Sequence, residues 1–561
     1  MKSPCELLHA PRRVLAVSFS AGALTSAGLA LAQDPVSEAA PVRALPPPPM
    51  PSDRAQGTEF RPELVLDSGR VPARRVPAEG GAHFQIHGEY QLRLTGLSEL
   101  GLKPMPSEPS STGLDDRLRL VHWLRVTPRL DLSSHLTLVA QIDVPHGFIA
   151  GEPSEFVSSA DPDYASREPF EVDPRWLYLE WSMPAGTLRA GQQPWHWGMG
   201  LVANDGDHPS LFGDYRGGAR VERVSFATKP AGRASPVTLE AAVDLVFQDA
   251  HVKLIDGDRA LQGVLAATYR DGSDNSVGFT GVYRHQERDG EASTRVLLLD
   301  SAGSLNAKIP GGAGHVFGEY EVAYLVGETG QSRIAAVDGQ EREDYRAFGA
   351  ATRAGFVLAR GTGAERWGQF VTQVEWGWAS GDANPDDGVQ RRFRFDPNHN
   401  VGLILFDEVL AWKTARAANI ARDPDLDFAR GPGVKRLPSN GGVFGASYVN
   451  PTFVFRPVAE LDLKLGLLVA QAASDFVDPV EALSGRTYRN RNYDGGNPHD
   501  HDLGLELDAG VEYRYRIPNF PMLLQVGAQG GVLFPGNALA DVSGRRLETQ
   551  YIGVGRLGLQ Y

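Results

Sequence analysis

Three arginines, Arg117, Arg119 and Arg125, share one parity of a single stretch, while Leu118, Leu120, Leu124 and Val126 take the other. In a β-strand, residues two apart lie on one face. The stretch then carries a cationic ladder along which a small anion or a polyanion can step. Arginine suits this chemistry because its planar fork meets carboxylates two bonds at a time. Arg93, Arg189, Arg514 and Arg516 take the same polar parity in their own segments. Carboxylates hold that parity elsewhere: Glu89, Asp143, Glu240, Asp244, Glu375, Asp462, Glu506, Asp508 and Glu512. Opposite charges at close quarters also brace one another. Each of these residues therefore has two readings, filter or brace.

Other chemistries find no support in the spacing. There is no Gly-x-Ser-x-Gly elbow, no His-Glu-x-x-His and no phosphate-binding lysine loop. Gly553-Val554-Gly555-Arg556-Leu557-Gly558 matches a dinucleotide pattern, but it lies inside a strand with no helix to follow, so we reject it. Three acidic runs invite a metal reading: Asp382, Asn384, Asp386 and Asp387 before Gly388; Asp423, Asp425 and Asp427; and Asp494, Asp500 and Asp502. The first echoes a calcium loop, but its glycine falls one place late and no spaced glutamate follows. Solvated loop carboxylates are the plain reading. A divalent cation bridging loops, or bridging a loop to lipopolysaccharide phosphate, is the alternative. No catalytic, cofactor-binding or metal-ligating residue is assigned. Cys5 is the one cysteine, which excludes an internal disulfide and cysteine-based zinc sites. A formal charge of -14 argues against a general nucleic-acid partner. The basic residues are 8 lysines and 47 arginines, a bias that a GC-rich genome also explains.

These side chains must be held by something, and the pattern from residue 82 onward has a period of two. Phe84, Ile86, Tyr90, Leu92 and Leu94 alternate with polar neighbours. Leu503, Leu505, Leu507, Ala509, Val511, Tyr513 and Tyr515 alternate with Asp502, Gly504, Glu506, Asp508, Gly510, Glu512, Arg514 and Arg516. Eighteen such segments run from 82–95 to 548–561. The alternation is muddled in 292–300 and 344–359, and a sixteen-strand barrel fits if those two are not strands. Connections alternate between short and long, the long set including 97–113, 146–172, 195–216, 381–440 and 473–499. The connection 301–312 is too long for its class.

The expected fold is all-β: a transmembrane antiparallel β-barrel over 82–561, with short periplasmic turns and long outer loops. Open sheet edges cannot face lipid, so the ladder must close, with its apolar face outward and its ionic face around a lumen. Trp123, Trp176, Trp181, Trp195, Trp197, Trp367, Trp376 and Trp378 are expected in the interface girdles. The loop 381–440 contains Val401-Gly402-Leu403-Ile404-Leu405-Phe406 and Leu410-Ala411-Trp412, too apolar for a solvated loop. We expect it to constrict the mouth or to cap the rim.

Residues 1–32 read as a signal peptide, with Lys2, Arg12 and Arg13 before an apolar run and Ala30-Leu31-Ala32 at the cut. Residues 33–80 read as a proline- and alanine-rich periplasmic linker. The last strand, ending in Tyr561, resembles the assembly signal of outer-membrane barrels. The expected setting is the bacterial outer membrane. The expected partners are its lipid, lipopolysaccharide and the barrel-assembly machinery.

Several segments look familiar together. Arg175-Trp176-Leu177-Tyr178-Leu179-Glu180 leads by a short turn to Leu188-Arg189-Ala190-Gly191-Gln192-Gln193. Trp376-Gly377-Trp378-Ala379-Ser380-Gly381-Asp382 precedes the long loop, Asp502 to Asp508 starts a strand, and Leu533-Phe534-Pro535-Gly536 ends the next. These resemble the alginate-export porin family over most of 82–561. The resemblance implies an eighteen-strand monomeric pore with a charged constriction, and places Arg175 and Arg189 among inward arginines. Gln193 stands where that family would have a basic residue, so the solute does not transfer. The function expected is passive diffusion of small or polyanionic solutes, acidic polysaccharide among them, without catalysis. The rivals are a barrel-embedded hydrolase and a secreted β-rich glycan-binding protein.

Overall fold

The computed structural model describes residues 82–561, apart from 106–112, 115–116, 152–169, 208–211, 214–216, 233, 272–274, 311–313, 335–341, 359–368, 386, 427–430, 459, 479, 481–482 and 484–490. The signal-peptide and linker readings, 1–32 and 33–80, lie outside the described residues.

Eighteen long strands form one closed antiparallel ring. In chain order they are β1 His83–Leu97, β2 Arg117–Asp131, β3 Leu136–Gly151, β4 Glu171–Met183, β5 Gly186–Pro194 and β6 Arg220–Thr228. Next come β7 Val237–Gln248, β8 Asp258–Arg270, β9 Ser276–Arg288, β10 Glu291–Lys308, β11 Gly314–Thr329 and β12 Glu343–Leu358. The ring finishes with β13 Gln369–Ala379, β14 Ala446–Val458, β15 Leu461–Ala472, β16 Asp502–Arg516, β17 Leu523–Pro535 and β18 Gln550–Gln560. Each strand pairs with its sequence neighbours, and β1 pairs with β18 from Glu89↔Gln560 to Leu97↔Ile552, so no edge is left open.

The pleat sorts the side chains. On β7 and β8, Val243, Leu261 and Leu265 stand exposed, at 67%, 57% and 69%, whereas Glu240, Asp244 and Gln262 between them are buried. The same alternation puts Leu463, Leu465 and Val469 outside on β15 and Asp462 inside. Apolar rows that face outward all round a closed ring exclude a two-sheet sandwich and its soluble glycan-binding reading. An apolar exterior about an ionic interior is the outer-membrane architecture. The protein is an outer-membrane β-barrel of eighteen strands, not sixteen. Both muddled segments are full strands: β10 runs on to Lys308, which shortens the connection that had looked too long.

Two expectations fail locally. Leu503 does not share the outer face of Leu507 and Val511; it is fully buried. The cause is Gly504 at φ 118, where the register with β15 shifts and the parity flips. The tryptophans also divide. Trp181 and Trp376 stand exposed near opposite ends of the wall, as girdle residues should. Trp123, by contrast, is 1% exposed on the inward face of β2, and Trp195 and Trp197 are buried inside the barrel. Trp367 lies outside the described residues.

The core sits in the lumen. Two connections fold inward and pack against the wall: residues 195–219, between β5 and β6, and residues 380–445, between β13 and β14. Inward alanines make room for them, among them Ala302, Ala323, Ala347 and Ala351, each 1% exposed or less. The second inserted loop carries a wide helical turn, Leu405–Leu410, that continues as α1, Ala411–Arg422.

Candidate functional site: a lumen crossed by two loops

The first inserted loop leaves β5 through Trp195, whose N–H donates to Ala219 O at 3.0 Å and closes the loop at its neck. Trp197 Nε1 donates to Asp300 of β10 at 3.0 Å, and Leu201 N–H donates to Glu321 of β11 at 3.1 Å. Arg175 of β4 donates to Asp205 O at 2.7 Å. Arg125 of β2 donates to Asp207 at 2.9 Å. At the far end, Phe212 O accepts from Gln529 of β17 and Arg556 of β18, at 2.9 and 2.6 Å. The loop therefore reaches strands on opposite sides of the ring.

The second inserted loop crosses another way. His399 meets Glu375 of β13 at 3.0 Å and the Tyr448 hydroxyl of β14 at 3.2 Å. Glu506 of β16 accepts the N–H groups of Leu403, Ile404 and Leu405 at 2.5, 2.9 and 2.7 Å. Glu408 then receives Arg119 of β2 at 2.5 Å, and Arg117 lies over the Trp412 ring at 5.0 Å. The helix is anchored further by Lys413, which donates to Asp494 at 2.6 Å. The described residues of 381–440 thus enter the barrel and do not merely cap its rim. Burial pushes the Asp396 carboxyl up to about 7, against the two hydrogen bonds it accepts from Asn398.

Every residue marked as a filter candidate has a definite place. Arg125 forks onto Asp143 with two bonds of 2.8 Å, besides Asp207. Arg175 is fully buried and donates to Gln141 at 2.6 Å. Arg189 pairs with Glu180 at 2.9 Å, over the Tyr178 ring. Asp244 takes both prongs of Arg223, at 2.6 and 2.7 Å. Glu375 takes Arg353 at 2.6 Å, and Arg353 reaches Glu319 at 3.1 Å. Asp462 accepts from Arg456 and Arg514. Glu512 lies 3.7 Å from Arg556 and 3.9 Å from Arg514. Glu89 accepts from Gln91 and Gln560, at 2.7 and 3.2 Å. Glu240 is buried on the inward face of β7, Asp508 is buried beside Glu506, and Arg93 is half-buried on the inward parity of β1. Arg516 is exposed at the end of β16.

The arginine run is therefore not an open ladder. Arg125 is spent on two carboxylates, Arg119 on Glu408 and Arg117 on Trp412; they hold loops in place. Charges of both signs line the wall mostly as braces, because a guanidinium in a confined lumen finds a carboxylate across the strand. Spacing along one strand could not show this, since the partners come from elsewhere in the chain.

The whole first inserted loop escaped the sequence reading. Its signal was there: Trp195, Trp197, Met199, Leu201 and Val202 make it as apolar as the stretch 401–412. Of the acidic runs, Asp382 accepts N–H bonds from Asn384 and Arg391, Asp387 pairs with Arg391 at 2.7 Å, and Asp494 pairs with Lys413. Asp386 and Asp427 lie outside the described residues. Among the described residues no three His, Cys, Asp or Glu side chains converge as metal ligands.

The fold and the inserted loops define an outer-membrane barrel with a loop-filled lumen. Three solved barrels are similar to it at low identity. The outer membrane protein OprD from Pseudomonas aeruginosa shares 9% identity at a TM-score of 0.43, over 85% of this chain and 94% of that one. OccK8 (OprE) of Pseudomonas aeruginosa shares 9% at 0.42, over 85% and 97%. OccAB1 of Acinetobacter baumannii shares 9% at 0.45, over 85% and 96%. No protein-family profile matches the sequence, and no curated protein does.

Proposed function

We propose that this barrel is a passive outer-membrane channel for small solutes, acidic ones included, with no catalytic step. The observation that carries this reading is the closed ring of eighteen strands with an apolar exterior and inward charged side chains, Glu240, Asp244, Asp300 and Asp462 among them. Eighteen strands enclose room for water. Selectivity in such a pore comes from inward side chains. Arg117 and Arg119, at the start of β2, brace the second loop and also contribute positive charge to the field an anion meets. Export of an acidic polysaccharide is the larger-solute form of the same reading, and it requires both loops to withdraw. The barrel works as a monomer, is inserted through its final strand ending in Tyr561, and stands against lipopolysaccharide on its outer side.

Planar bilayers test this directly. Purified full-length protein should give discrete current steps. Arg117→Ala with Arg119→Ala should move the reversal potential toward cation preference. Silent bilayers with correctly inserted, heat-modifiable protein would end the channel reading. An unchanged reversal potential would remove these two arginines from the filter.

A further inference from the structure

The two inserted loops leave the wall at different strands, yet each meets it by the same device. On the second, Glu506 receives three consecutive N–H groups, those of Leu403, Ile404 and Leu405. On the first, both carboxylate oxygens of Glu321 lie within 3.1 and 3.2 Å of Leu201 N, and Met199 N–H also donates to this carboxylate. Each cluster of amides follows a left-handed glycine, Gly402 at φ 72 and Gly198 at φ 59. A side chain is barred at both places. A Cβ on Gly402 would lie 2.7 Å from Glu506 Oε1, and one on Gly198 would lie 2.5 Å from Glu321 Oε2. The backbone turn and the missing side chain together admit the carboxylate.

We propose that Glu321 and Glu506 are positioning residues from which the two loops hang as a single constriction; this rests on the channel reading and names what sets its gate. Bonds from N–H to a carboxylate are charge-assisted, about twice as strong as neutral ones. Glu506 also sits at the start of the helical segment 405–422, whose first N–H groups have no partner within the helix and carry the positive end of its dipole. No side chain of the segment itself caps that end, so the wall supplies the cap. The loops are tied to each other as well. Asp396 N–H donates to Leu201 O at 2.7 Å, Asn398 Nδ2 donates to Gly217 O at 3.0 Å, and His399 Nδ1 lies 3.1 Å from Met199 O. These ties adjoin both anchors. A loop released from its own glutamate is still held through the other, and loss of both loosens the two turns together while the contacts of Arg119, Arg125 and Arg175 keep the loops in the lumen.

The experiment uses the full chain folded in detergent, with amide hydrogen exchange read at 199–201 and 403–405 beside single-channel recording. Glu506→Gln should speed exchange at 403–405 roughly tenfold or more, the scale of losing charge-assisted bonds. Exchange in the barrel strands and the heat-modified gel shift should not move. Glu321→Gln should do the same at 199–201. In the double variant, exchange should rise beyond the product of the single effects, and the current should grow or turn noisy. If Glu506→Gln prevents folding, Gly402→Ala probes the same anchor from the loop side and should give the same local signature. Unchanged exchange at 403–405 in a folded Glu506 or Gly402 variant overturns the anchor. Purely multiplicative effects in the double variant overturn the single constriction. Amides that respond in a barrel passing no current would keep the anchors and remove the channel.

Discussion

The two inserted loops fill one lumen with different material. The first, 195–219, shows no helix among its described residues and hands its polar groups to the wall strand by strand: to Glu321, to Arg175, to Arg125, and to Gln529 and Arg556 at its far end. The second, 380–445, buries Leu405, Phe406, Val409 and Trp412 on a helical segment and meets the wall through Glu506, the Arg119–Glu408 pair, His399 on Glu375, and Arg436 on Glu291 and Asp258. The difference follows from backbone bookkeeping. Buried N–H and C=O groups need partners. An irregular segment must find them in its surroundings, whereas a helix supplies its own except at its ends. The irregular stretches of both loops are therefore sensitive to wall residues, whereas the helical segment of the second depends on its own bonds and the cap at its start.

That contrast can be broken most forcefully at Arg125. Arg125→Ala takes from the buried Asp143 and Asp207 the cation that bonds them and leaves only Arg175 nearby, 3.9 Å from Asp143, a loss of about 3 kcal/mol. Denaturant unfolding should show it. Amide exchange should quicken at 205–207 and stay put at 403–405; a response confined to the second loop would contradict the division. The converse substitution is Ala415→Pro in α1, which removes a helix bond and costs about 3 kcal/mol. It should unseat the second loop, seen as exchange across 411–422, while the neck bond from Trp195 to Ala219 holds.

A third measurement uses pH. The Asp396 carboxyl, pushed up to about 7 by burial, binds its proton more tightly when the second loop is seated than when it is free. Its seating should thus be firmest in acid and weaken as pH rises through the window from the ordinary aspartate value of 3.8 to about 7. Protease cleavage within 396–412 should accelerate across that window, and Asp396→Asn should flatten the dependence. A profile unaltered by the substitution would assign the pH response elsewhere. The smallest effect is expected at Arg117→Gln, which removes the cation over Trp412 for about 0.5–2 kcal/mol and shifts the denaturant midpoint only slightly.

The strand ladder was legible because a period of two survives in any strand with one face in lipid. Even the doubtful segments 292–300 and 344–359 became β10 and β12. The reading failed where one backbone angle resets parity, as at Gly504 and Leu503. It also failed where function depends on residues far apart in the chain. The inward face of β2 was visible, but the company kept by Arg119 and Arg125 was not, since Glu408 and Asp207 arrive on loops. Glu506 was marked as inward on parity alone; that it receives three amides depends on the fold of residues 402–405. Trp195 to Val202 was passed over because a long connection between strands looked like an ordinary outer loop.

The loop half of each wall attachment is main chain. Peptide groups come with every amino acid except proline, so the bonds from 199, 201 and 403–405 ask for no particular side chain; packing, not the bond, constrains the buried Leu201, Ile404 and Leu405. Gly198 and Gly402, by contrast, are held to glycine by their left-handed backbone and by the acids they admit.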